Sequence, residues 1–130
     1  MFKSIMAIVV GFLVTGALAV GTTSLITSAR PGSFDANGVP TSPTMMLVNL
    51  AYVGVFAIFG CWLAGKLAPN RAMRHALIVG VLGLILNVGA SIPLRNAAPA
   101  WFIAAGVLTT MLWAWIGGRL AERRPTPAAA

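Results

Sequence analysis

Four long stretches without a charged residue decide what this chain can become. The first is the 26 residues from Ser4 to Ala29, between Lys3 and Arg30. A second charge-free run extends from Ala36 to Gly65, a third from His75 to Leu94, and a fourth closes at Gly118. About 20 apolar residues in a helix cross the hydrocarbon core of a bilayer, so each run is long enough for one crossing. Between them lie turn formers and cations. Pro31-Gly32, Asn37-Gly38 and Ser42-Pro43 mark a loop over residues 30–43, Pro69-Asn70 stops the second run, and Asn96 to Pro99 makes a tight turn. The pattern predicts an all-α integral membrane bundle of four transmembrane helices, arranged as two hairpins. The spans fall at about residues 4–27, 44–67, 74–94 and 100–120. They form one domain over residues 1–121, and residues 122–130 are expected to be a disordered tail.

Composition removes the main competitor. Only 8% of the residues are charged, against about a quarter in a soluble domain. The net charge of +7 would suit nucleic acid if it formed a basic face, but the cations stand between apolar runs, so no nucleic-acid partner is expected. Their distribution instead gives an orientation. Lys3, Lys66, Arg71, Arg74, Arg119, Arg123 and Arg124 fall on one side, and only Arg30 and Arg95 on the other. Short loops rich in Lys and Arg stay in the cytoplasm, so both termini are expected there.

A seven-residue signature occurs twice. Trp62-Leu63-Ala64-Gly65-Lys66-Leu67-Ala68 ends the second span, and Trp115-Ile116-Gly117-Gly118-Arg119-Leu120-Ala121 ends the fourth. A Trp followed by a cation one turn later suits a helix end at a water interface, the indole lying among headgroups and the cation reaching water. Trp62, Lys66, Trp115 and Arg119 are therefore expected interfacial anchors in one leaflet. Trp101 and Trp113 extend the aromatic belts. The N-terminal run has a second interpretation. Lys3, the apolar stretch and Ala17-Leu18-Ala19 are similar to a secretory signal, although the run continues past the supposed cleavage site, which favours a retained first helix.

Chemistry-bearing groups are scarce. Both acids, Asp35 and Glu122, lie outside the spans, whereas proton-coupled carriers need an ionisable group at membrane depth. His75 is the sole histidine and Cys61 the sole cysteine. Metal sites need several ligands, and covalent catalysis needs a nucleophile with a base beside it. No catalytic, metal or cofactor-binding residue is assigned, and no enzyme activity or cofactor is expected.

The polar residues inside the spans remain. Taking about 1.5 Å of rise per residue from the inner-interface cations Lys66 and Arg74, Asn49 and Ser91 each lie about 26 Å away, Tyr52 about 21 Å and Asn87 about 20 Å. Asn49 and Tyr52 share a helix face, as do Asn87 and Ser91. The second and third helices are joined by a short turn, so they are expected to be neighbours. Asn49 is then expected to face Ser91, and Tyr52 to face Asn87, as interhelical hydrogen bonds or as the wall of a small polar pocket.

Asn49-Leu50, Gly65-Lys66-Leu67-Ala68-Pro69, Arg74-His75-Ala76, Pro99-Ala100-Trp101 and Gly117-Gly118-Arg119-Leu120 together give a resemblance. The chain resembles small four-helix bacterial inner-membrane proteins of unassigned activity. That resemblance implies fold and location, and carries over no functional residue. The expected function is a structural or accessory membrane subunit, packing with itself or with a larger membrane complex in the lipid bilayer. The alternative is an oligomeric channel or carrier for a small neutral or anionic solute.

Overall fold

The computed structural model describes residues 2–123. It contains four α-helices: α1 (Phe2–Ala29), α2 (Pro43–Leu67), α3 (Ala72–Leu94) and α4 (Ala100–Glu122). All four are long and apolar enough to cross a membrane. Even the 23-residue helices span about 35 Å at 1.5 Å per residue, against a hydrocarbon core of about 30 Å. Their apolar residues run round the whole circumference, as befits helices with lipid rather than water on their outer faces. The four point to an integral membrane protein. The helix α4 runs on through Glu122, so that residue belongs to the bundle rather than to a tail, while residues 124–130, including Arg124, lie outside the described part.

Local chemistry sets the helix ends. Ser42 caps α2, its hydroxyl accepting from the Met45 amide at 3.2 Å, and Pro43 occupies the first turn, where its missing N–H costs nothing. Pro99 is the residue immediately before α4. Arg71 precedes α3 in the left-handed conformation, with φ of 53°. It is the one described non-glycine residue with positive φ.

The helices alternate in direction, so α2 and α4 run parallel. Their side-by-side contact is the most extensive in the bundle, and α1–α2 and α3–α4 follow. The α2–α3 contact is smaller, although a four-residue turn links the two helices. Helix α1 touches α3 but not α4. The expected α2–α3 neighbourhood is thus present, but α2 packs more extensively on α4 and α1. What decides the arrangement is where small residues let backbones meet. A Cβ placed on Gly11 would come within 2.5 Å of the Gly60 carbonyl oxygen, and one on Gly117 within 2.6 Å of the Ile58 carbonyl oxygen. Gly60 is pressed against Thr15, and Gly80 against Ala114. Dispersion at such short interaxial distances substitutes for the hydrophobic effect, which gives membrane helices little reason to associate.

The core has two parts. Cys61, Ala64, Ala76, Val79 and Ala114 form the larger, at the end carrying the Trp–cation signatures, with Ile8, Phe12 and Leu77 packed on it. At the opposite end Val39, Met46 and Ala98 cluster with Leu94, Phe102 and Ile103. Val39 belongs to the loop after α1. Asp35 ties that loop, its Oδ1 accepting from the amides of Asn37 at 2.8 Å and Val39 at 2.9 Å, while Thr41 donates to the Gly32 carbonyl at 2.7 Å. Gly32 and Gly38 supply the positive φ the turns need. The loop folds back on itself and lays Val39, 4% exposed, over that end of the bundle.

Candidate functional site

The hydrogen-bonded polar side chains of the spans find their partners inside their own hairpin. In the first hairpin the Asn49 amide donates to the Tyr52 hydroxyl at 2.6 Å, one turn away on α2. The same hydroxyl lies 2.7 Å from Thr23 Oγ1 on α1. Either hydroxyl can donate in that contact. Lower in the same hairpin Thr15 donates to the Gly11 carbonyl at 2.9 Å and reaches the Phe56 carbonyl at 3.3 Å. In the second hairpin the Asn87 amide donates to Thr110 Oγ1 on α4 at 3.4 Å. Ser91 donates to the Asn87 carbonyl at 2.7 Å, and Thr110 to the Gly106 carbonyl at 2.6 Å. Among the described residues no buried polar side-chain atom lacks a partner.

The expected Asn49–Ser91 and Tyr52–Asn87 hydrogen bonds are therefore not the ones formed. The short α2–α3 turn made those two helices the obvious neighbours. Yet α2 turns its Asn49–Tyr52 face to α1, and α3 turns its Asn87 face to α4. Thr23 and Thr110, the partners on the outer helices, were not distinguished in the sequence from several other span threonines. Their signal was level: Thr23 faces Tyr52 across an antiparallel pair, and Thr110 faces Asn87.

The two Trp–cation signatures lie at the same end of the bundle, and their small residues do the packing. Ala64, Ala68 and Ala121 are buried, at 0%, 3% and 0% exposure. Gly65 lies against Ala121 and Ala72, Gly117 against Cys61, and Gly118 against Met73 and Ala76. Matched level for level, the copies would set Ala64 beside Gly117. Instead Cys61 stands there, so the second copy is shifted along the axis by three residues, about 4.5 Å. The aromatic groups differ in role. Trp115 is 49% exposed with the Arg119 guanidinium 5.4 Å above its ring. Trp62 stacks on Phe59 at 5.6 Å, and Lys66 is half-buried. Trp113 is not part of an interfacial belt. Its indole fills the slot left by Gly54, where a Cβ would come within 2.8 Å of the ring.

This geometry defines the class: a four-helix bundle with apolar spans and self-satisfied polar side chains. No protein-family model matches the chain, and neither a curated protein nor a solved structure does.

Proposed function

We propose that the chain is a structural or accessory subunit of the bacterial inner membrane, packing with itself or with a larger membrane complex. It has no enzymatic chemistry of its own, and both termini face the cytoplasm, as the seven-to-two division of cations suggests. The observation that carries this proposal is the closure of the polar groups within each hairpin. At one end the space between helices is filled by glycine and alanine contacts, and at the other Val39 covers it. A solute path needs polar groups facing a cavity, and these face each other. Meanwhile Gly16, Gly21 and Gly89 meet nothing within 4 Å, so α1 and α3 each keep a face another membrane helix could approach closely.

The channel or carrier alternative draws on one observation. In the register set by Cys61 against Gly117, Asn49 stands near the level of Gly106, which touches Asn87. Polar groups of both hairpins thus share a depth, and an oligomer could gather them. Purification in dodecyl maltoside followed by mass spectrometry of the intact complex separates the two. A stoichiometric partner, or a homo-oligomer inert in liposome flux assays, supports the subunit. Solute flux through the reconstituted chain alone contradicts it.

A further inference from the structure

One groove on the surface combines features that the packing of the bundle does not use. It lies along α3 at the signature end, has a volume of about 580 Å³, and is lined by Arg71, Arg74, Ile78, Val81, Leu82 and Glu122 among others. Arg74, Ile78 and Val81 follow at spacings of four and three and form one stripe of the helix, with Arg71 just before its first residue. The cations stand at the end of α3, and below them the wall is aliphatic. From Arg74 to Leu82 the stripe descends about 12 Å into the membrane. Among the described residues neither guanidinium makes a hydrogen bond or an ion pair. Glu122 leaves the rim with a formal excess of one positive charge. Arg71 also holds the left-handed conformation. That conformation is unfavourable for a non-glycine residue, so it persists only where the surroundings fix it.

We propose that this groove binds one anionic phospholipid, its phosphate between Arg71 and Arg74 and an acyl chain along Ile78, Val81 and Leu82. The two halves of the groove match the two halves of such a molecule. A guanidinium pair recognises phosphate oxygens by charge-assisted hydrogen bonds. The aliphatic wall starts at the depth where the glycerol backbone gives way to hydrocarbon. A zwitterionic lipid gains less at this rim, because its ammonium group meets the same cations. The proposal rests on bilayer insertion, which carbonate extraction of wild-type membranes reads independently of the arginines.

The test is native mass spectrometry of the full chain in dodecyl maltoside with dioleoyl phosphatidylglycerol, dioleoyl phosphatidylcholine or inorganic phosphate. Wild type is expected to retain one phosphatidylglycerol per chain, at least about tenfold more tightly than phosphatidylcholine, and inorganic phosphate is expected not to displace it. The variant Arg71→Asn with Arg74→Gln keeps a residue tolerant of positive φ at position 71. It should bind about tenfold more weakly, since each cation near the surface adds appreciably to anionic-lipid affinity. Leu82→Trp should weaken binding similarly by filling the apolar wall. Lys3→Gln with Arg30→Gln removes two cations elsewhere and should leave binding within about twofold. Equal binding by the Arg71 and Arg74 variant, equal loss in the Lys3 and Arg30 variant, undiminished binding by Leu82→Trp, or displacement by phosphate would each overturn the proposal.

Discussion

At the scale of single residues, Tyr52 links polar side chains of two helices. Its hydroxyl joins Asn49 on its own helix to Thr23 on α1. Tyr52→Phe removes both bonds at once and leaves the Asn49 amide in hydrocarbon without its acceptor. The expected loss of stability is about 0.6–2 kcal/mol, the range for interhelical hydrogen bonds in membranes. Unfolding by sodium dodecyl sulfate titration from mixed micelles measures it. Asn87→Leu should cost less, because the Asn87–Thr110 bond is longer, 3.4 Å against 2.6 and 2.7 Å. In a chain with a transport function Asn87→Leu would instead abolish flux at unchanged stability. The same scale shows what sequence could not reach. Tyr52 and Asn87 were legible as polar residues at similar depth, because helix rise fixes depth. Their partners were not, because partner choice depends on rotation about the helix axis. Here that rotation is set by glycines tens of residues away.

Among the elements, the contacts of α2 are the most revealing. It meets α1 through Gly60 and Ala64, and α4 through Gly54, Cys61 and Gly65. Its seven-residue signature looked in sequence like an anchor alone, because Trp and Lys carry the recognisable interfacial chemistry. The alanine and glycine between them carry no such chemistry, yet Ala64 and Gly65 are what bring neighbouring helices close. The helices themselves were legible because charge-free runs of bilayer length have few other uses. Their neighbour relations were not, because loop length says which helices are tethered and small-residue faces say which ones pack. A paired prediction follows from the close approaches. Gly60→Leu and Gly117→Leu must push backbones apart and should destabilise by about 1–3 kcal/mol or more. Gly16→Leu and Gly89→Leu enter open space and should change the isolated chain's stability by no more than about 0.5 kcal/mol. The same detergent titration reads all four. Equal effects at the four sites would show that the glycines do not set the helix contacts.

For the whole molecule, the parallel run of α2 and α4 puts the turn between α2 and α3 at the same end as the start of α1 and the end of α4. The loop over residues 30–43 and the turn before Pro99 share the opposite end. Little of each span is covered by the bundle: 22% of residues are buried in the most apolar stretch of α2, and 11% in each of the other helices. In water such a surface would be an aggregation hazard; in a bilayer it faces lipid or another chain. The topology is therefore the central claim, and cysteine accessibility tests it most directly. In a Cys61→Ala background, single cysteines are placed at Asn37, Ala97, Asn70 and Arg123, and intact cells are treated with a membrane-impermeant maleimide. Asn37→Cys and Ala97→Cys should label in intact cells, and Asn70→Cys and Arg123→Cys only after the membrane is opened. Labelling of positions 37 and 70 from the same side would contradict a bundle that crosses the membrane four times.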